Sequence, residues 1–309
     1  MKKISLLRNP LSSTLLALLV MFFWGSLFPM IKIGYSAFGV DTSNVASILL
    51  FAGLRFLLCG AVLITVSGAR MKRLEFPARS ALTPILLIAL TAYVLHYACT
   101  YIGISHLESS KTAIIKQTGT LFIICFAFLF RKEDRFTPAK LIGGLLGFSS
   151  ILVVNLNGLH LSVSGYDLLI LLASFCSAAG MIFSKNAYDS CDPLYITAWA
   201  QLFGGVILLT LGLLLGGRLA RFDLRAALVL VYMCFASCAG YGLWNLLLKY
   251  NDMSRLNVIK FAETLFSAVC SWALLGENVF RLSYLFSFLL VCAGILICNL
   301  STVKKKVST

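Results

Sequence analysis

Long apolar runs separated by short polar links dominate the chain. Ten such runs cover approximately 14–34, 47–67, 81–103, 112–130, 138–155, 166–184, 194–215, 227–248, 258–275 and 282–300. Each is close to the roughly 20 residues that cross a bilayer as a helix. The runs are about twice the length of a barrel strand and lack strand alternation, which excludes an outer-membrane barrel. Thr137-Pro138 and Asp192-Pro193 put a polar residue and a proline at the starts of the fifth and seventh runs, as helix starts require. The links are short, so no soluble domain is inserted. Lys2, Lys3 and Arg8 before an apolar run could imitate a secretion signal. Nine further runs follow and no small-residue cleavage site stands out, so the first run is read as a retained span.

Composition agrees with this reading. The 309 residues are 60% hydrophobic and 12% charged, with a mean hydropathy of +0.92. A soluble domain is nearer half apolar and a quarter charged, and a disordered chain has far less to bury. The net charge of +14 would suggest nucleic acid in a soluble protein. In a membrane protein excess Lys and Arg sets orientation, so nucleic acid is not expected as a partner. With the N-terminus cytoplasmic, the inside segments hold seventeen basic residues and the outside segments six. The asymmetry predicts a multi-pass protein of the plasma or bacterial inner membrane with both termini cytoplasmic. Arg218, Arg221 and Arg225, after the seventh run, go against it. The ten cysteines lie almost all within the runs and form no C-x-x-C pair. They read as small packing residues, and neither a metal site nor a cofactor is expected.

An internal repeat organises the chain. Ile115-Lys116 with Thr120-Leu121-Phe122 recurs 144 residues later as Ile259-Lys260 with Thr264-Leu265-Phe266. The same offset aligns Tyr97 with Tyr241, Ser110 with Ser254, Glu133 with Glu277, Phe136 with Phe280 and Asn155 with Asn299. The match needs no gap over about 59 residues and gives roughly 15 identities, several of them polar. Each unit holds five runs. Because five is odd, the second unit enters the membrane from the opposite side. The predicted fold is therefore ten transmembrane helices in two inverted five-helix repeats, residues 1–158 and 159–309, an architecture suited to alternating access.

Short motifs at ordered spacings carry a resemblance over essentially the whole chain. They are Trp24-Gly25-Ser26-Leu27-Phe28 in the first run, Leu54-Arg55-Phe56-Leu57-Leu58 in the second and Tyr241-Gly242-Leu243-Trp244-Asn245 in the eighth. Gly276-Glu277 closes the ninth run and Lys132-Glu133 the fourth, with Gly143, Gly144 and Gly147 following in the fifth. In this the sequence resembles the EamA-type, ten-span branch of the drug/metabolite transporter superfamily. The resemblance implies transport of small metabolites, often export of amino acids or related solutes, and a central cavity lined by spans 1, 3, 4, 6, 8 and 9. One departure is local: the family often has a proline about thirteen residues before each closing glutamate, where this chain has Thr120 and Thr264.

Four ionisable groups fall inside the runs: Arg55, Lys116, Lys260 and Glu263. Such groups are costly in a bilayer and are functional candidates by default. Arg55 is read as a structural charge bridging carbonyls or helix ends. Lys116 and Lys260 are repeat equivalents about five residues into their runs, roughly 7 Å deep at 1.5 Å per residue. A lysine that shallow can snorkel to the headgroups. Both, however, sit near helix N-termini, where the dipole favours an anion, so the alternative is that they meet a carboxylate or phosphate of the substrate. Glu263 shares a helix face with Lys260. It either neutralises that lysine or carries a coupling proton. Its repeat equivalent is Gly119. Trp24, Tyr93, His96, Tyr97, Trp244 and Asn245 complete the candidate substrate-binding set, by hydrogen bonding or stacking.

The sequence thus predicts a secondary active transporter of a small anionic or zwitterionic metabolite, such as an amino acid or organic acid. Protons or a counter-substrate would supply the coupling. An exchanger of phosphorylated solutes or nucleotide sugars is the alternative within transport. No P-loop signature supports ATP drive. An intramembrane enzyme would have only His96 and Glu263 to work with. The bilayer is the expected surrounding, and the assembly is a monomer or a homodimer.

Overall fold

The computed structural model describes residues 6–72, 76–107, 115–130, 137–155, 164–276 and 282–307. Among these residues the regular structure is helical throughout. We label the helices α1 (Pro10–Phe38), α2 (Val45–Met71), α3 (Arg79–His106), α4 (Thr118–Phe130) and α5 (Pro138–Asn155). They continue as α6 (Gly165–Ala187), α7 (Pro193–Leu214), α8 (Leu224–Tyr250), α9 (Met253–Leu275) and α10 (Leu282–Val307). Seven of them, α1, α2, α3, α6, α7, α8 and α9, are long and apolar enough to cross a membrane. Ser110, Lys132, Glu133, Phe136, Glu277 and Phe280 of the repeat and family motifs lie outside the described residues.

Local chemistry explains where the helices begin. Asn9 accepts from the amide of Leu11 at 2.9 Å, with Pro10 in the first turn. Asp192 does the same for Leu194 at 2.9 Å, ahead of Pro193. Ser164 and Asp167 form a reciprocal capping box on α6, and Asp223 caps Ala226 at 2.8 Å on α8. Each cap satisfies an amide that the first helical turn leaves without a partner. In a bilayer such groups have no water to turn to.

Most helices extend beyond the apolar runs at one or both ends, because polar residues cap or bury there. The longest extension at a helix start is in α9, which begins at Met253 rather than near 258. Its first turn buries Arg255 and Asn257 against protein.

Packing is close wherever small residues allow it. α2 crosses α7 with Gly53, Gly60, Gly205 and Gly212 at the contact. A Cβ added at Gly205 would lie 2.2 Å from the Leu57 amide, so the two backbones touch. This is how membrane helices associate without a hydrophobic drive. Gly216, four residues after Gly212, lies beyond α7 in a left-handed turn at φ 79° and has open space around it. α10 lies along α5, where a Cβ at Gly294 would come 2.7 Å from the Gly143 carbonyl.

α1 packs on α8 and on the second half of α9, while α6 packs on α3 and α4. The outward faces carry Leu15, Leu19 and Phe22 on α1 and Leu228, Val231 and Phe235 on α8, all exposed. Helical spacing makes these continuous apolar faces for lipid. The interior between α1, α3, α6, α8 and α9 holds the polar residues.

Candidate functional site: a central polar cavity

Three helices depart from regularity where they reach the centre. α3 passes through a π segment, Ala89–Leu95, immediately before His96. The wider turn brings Tyr93, His96, Tyr97 and Thr100 to one cavity wall, in keeping with the occurrence of π turns at functional sites. α9 is interrupted at Phe261, directly after Lys260. The stretch before α4 breaks at Gln117, directly after Lys116. Both lysines therefore stand at the junction where a new helix begins, with its amide-rich, positive end nearby.

The cavity has a volume of about 80 Å³. Trp24 and Phe28 come from α1, Arg55 from α2 and Lys116 from the segment before α4. Ser177, Met181 and Ser184 come from α6, Tyr241, Trp244 and Asn245 from α8, and Lys260 and Glu263 from α9. All eight candidate substrate-binding residues, together with Glu263 and Arg55, line this one space.

Arg55 is buried and held by its neighbours. Its Nε and Nη2 donate to Ser237 Oγ at 3.1 and 2.6 Å, and Nη1 donates to the Tyr101 hydroxyl at 2.5 Å. One side chain thus ties α2 to α8 and α3. Tyr97 and Tyr241 join hydroxyl to hydroxyl. Trp24 packs against Tyr241 and Trp244, with ring centroids 5.1 and 5.3 Å apart. Asn245 Nδ2 donates to Thr197 Oγ1 at 2.7 Å, which fixes its amide. His96 Nδ1 lies 3.2 Å from the Ala92 carbonyl. That contact assigns the ring proton to Nδ1 and leaves Nε2, buried and without a hydrogen-bond partner among the described residues, as an acceptor.

The two lysines are placed differently from Arg55. Lys116 Nζ lies over the Phe28 ring at 4.9 Å and Lys260 Nζ over the Trp24 ring at 5.9 Å. Among the described residues neither makes a hydrogen bond or an ion pair, and Glu263 makes none either. Two ammonium groups and one carboxylate of opposite charge therefore face the same space, none of them, among the described residues, joined to protein by a hydrogen bond or ion pair. Cation–π contact holds an ammonium weakly and leaves its N–H groups available.

The Glu263/Gly119 asymmetry has a steric origin. At Gly119 an added Cβ would lie 2.4 Å from the Ser174 carbonyl, so α4 meets α6 backbone to backbone. At position 263 the neighbour across the crossing is Gly25, whose missing side chain leaves α9 its room.

Several residues escaped the sequence reading. Tyr241 was legible as the repeat partner of Tyr97. Ser177, Gly180 and Ser184 form a small, polar stripe at helical spacing on α6. Three cations counted as loop charges are buried instead. Lys185 Nζ donates to the carbonyls of Leu248 (2.9 Å) and Asn251 at the end of α8. Lys140 pairs with Asp252 at 3.2 Å. Arg255 reaches Asn251, Ser13, Thr14 and the Pro10 carbonyl. They tie α1, α5, α6, α8 and α9 together at the end of the bundle where α1 begins. Among the described residues no group of three His, Cys, Asp or Glu side chains is placed to hold a metal ion.

The chain matches the EamA-like transporter family over residues 11–156 and 164–300. It belongs to that family. A probable amino-acid metabolite efflux pump of Salmonella typhimurium is 30% identical over 297 residues, 91% of this chain and 93% of that protein. An S-adenosylmethionine/S-adenosylhomocysteine transporter of Chlamydia muridarum is 27% identical over 275 residues, 83% of this chain and 82% of that protein. A solved crystal structure superposes with a TM-score of 0.76 over 95% of this chain and 98% of that one, at 16% identity, and so shares the fold. This EamA-family chain is a multi-pass membrane transporter of the drug/metabolite type, and the family's members are transporters rather than enzymes.

Proposed function

We propose that the chain is a secondary active exporter of a small metabolite bearing a carboxylate, an amino acid or an organic acid. The observation that carries this reading is the pair Lys116 and Lys260. They are ammonium groups from equivalent positions of the two halves, facing one cavity beside Glu263 with no hydrogen bond or ion pair among the described residues. A substrate carboxylate supplies the missing partner, and charge-assisted hydrogen bonds are the strong ones in a site of low dielectric. For a zwitterion the α-ammonium has Glu263 and the His96 Nε2 lone pair to meet, with Trp24 and Trp244 as an apolar wall. Both relatives agree with this chemistry in their names, since S-adenosylmethionine also carries an amino-acid head.

We read the whole chain as ten spans in two inverted repeats, with both termini cytoplasmic. The pairing of helices supports the repeat. α1 packs on α8 and α9 as α6 packs on α3 and α4, while α2 packs on α7 and α5 on α10. Exchanging the halves maps this list onto itself. Alternating access then follows as an exchange of the two halves' conformations around the fixed cavity. Glu263, present in one half only, is the group we assign to proton coupling.

An exchanger of phosphorylated solutes uses the same two lysines and is the second reading. Counterflow in proteoliposomes separates them, with amino acids, organic acids and sugar phosphates tested with and without a pH gradient. Uptake confined to amino or organic acids supports the first reading. Uptake confined to phosphorylated solutes supports the second, and no counterflow with any anion or zwitterion sinks both.

A further inference from the structure

Arg218, Arg221 and Arg225 take no part in the cavity, and they run against the charge asymmetry of the loops. All three are exposed. Among the described residues they make no ion pair. Asp223, the carboxylate in their midst, is committed to capping α8 through the Ala226 amide.

Interleaved with them are Leu214, Leu215, Phe222 and Leu224, exposed by 79, 63, 70 and 76%. The loop is nonetheless fixed. The Arg221 amide donates to the Phe38 carbonyl at 3.0 Å, and the Arg218 amide to Ser47 Oγ at 3.0 Å. Phe222 packs edge-on against Phe38 at 5.6 Å. A rigid loop thus holds three free guanidinium groups among four bare apolar side chains, where α7 ends and α8 begins. α7 and α8 are both long and apolar enough to cross a bilayer, so the end they share is expected where hydrocarbon passes to headgroup.

We propose that residues 214–225 form a binding site for an anionic phospholipid. Leu214, Leu215, Phe222 and Leu224 enter the acyl region while the arginines hold the phosphate. Guanidinium matches phosphate oxygens in bidentate geometry, and basic residues at a membrane surface favour acidic lipid. A free anion would engage the arginines alone, whereas an anionic lipid engages the arginines and the apolar side chains together. The occupant that uses both sets is a lipid. Because the loop is bonded to the last residue of α1 and the first turn of α2, a bound lipid also braces that end of both helices.

The test compares the wild-type chain with R218Q/R221Q/R225Q in nanodiscs of phosphatidylglycerol or phosphatidylcholine. Amide exchange of residues 215–223 is the local readout. Native mass spectrometry of retained lipid is the second, and it covers the case of a variant whose loop has loosened. The wild type is expected to show slower exchange in phosphatidylglycerol and to retain it over phosphatidylcholine by about fivefold or more, with both effects lost in the variant. Equal retention of the two lipids by the wild type, or an unchanged preference in the variant, overturns the proposal. Protection given equally by inorganic phosphate in phosphatidylcholine discs also overturns it, because the loop would then be a site for free anions.

Discussion

The hydroxyl groups of Tyr97 and Tyr241 share a hydrogen bond although the residues stand 144 positions apart. That is the offset at which the two halves of the sequence align. A residue that meets its own equivalent lies on the axis relating the halves, so under the proposed repeat this pair marks the centre of the transporter. Lys116 and Lys260, related by the same offset, line the cavity beside it.

Tyr97→Phe and Tyr241→Phe each remove this bond and nothing larger. Interhelical hydrogen bonds in membranes are worth on average about 0.6 kcal/mol and at most about 1.7 kcal/mol. Each variant is expected to lose about that much stability in detergent unfolding, and the double variant no more than either single. Additive losses would show that the two hydroxyls act separately.

Arg55 makes its three hydrogen bonds through a planar fork that lysine cannot reproduce. Hydrogen bonds to charged groups contribute about 1.5–3 kcal/mol each. Arg55→Lys is therefore expected to lower thermal stability clearly, and Ser237→Ala to lower it less. Combining the two should add little, because Ser237 takes two of the three bonds. A stable Arg55→Lys variant that loses only transport would move Arg55 from scaffold to substrate contact.

Gly119→Ala tests the steric account of the Glu263/Gly119 asymmetry. Alanine elsewhere in a helix is better than glycine by roughly 0.5–1 kcal/mol. Here the new methyl would meet the Ser174 carbonyl at 2.4 Å and force α4 from α6. The expected outcome is reduced yield and a lower melting temperature. A gain in stability would contradict the backbone contact.

Glu263→Gln keeps the shape of the side chain and removes its titration. If Glu263 carries the coupling proton, the variant still exchanges substrate in counterflow but no longer accumulates it against a pH gradient. A variant whose pH-driven accumulation equals the wild type's would leave Glu263 as a neutralising charge only.

How much of this is legible in the sequence depends on the solvent. The bilayer requires long apolar helices with internally paired backbones, so the helical fold follows from hydropathy. Helix starts at Pro138 and Pro193 follow from proline and capping chemistry. The π segment before His96 has no such signal, since Ala89–Leu95 reads as ordinary helix. Arg255, Lys185 and Lys140 read as loop charges because charge in a membrane protein is taken to mean water. Their burial depends on carbonyls and hydroxyls, and for Lys140 on the Asp252 carboxylate, brought by parts of the chain distant in sequence. The α6 stripe of Ser177, Gly180 and Ser184 lacks charge, and small polar residues are equally common where helices merely pack. In the cavity, by contrast, intramembrane charge and the repeat sufficed to find Lys116, Lys260 and Glu263.

Transport by Lys116→Ala and Lys260→Ala in proteoliposomes, with the substrate found by counterflow, tests the central claim most directly. Each variant, checked for folding by its melting temperature, is predicted to lose at least about tenfold in transport efficiency, about 1.4 kcal/mol or more of binding. The loss should fall on carboxylate-bearing substrates. Wild-type rates in both folded variants would contradict the account.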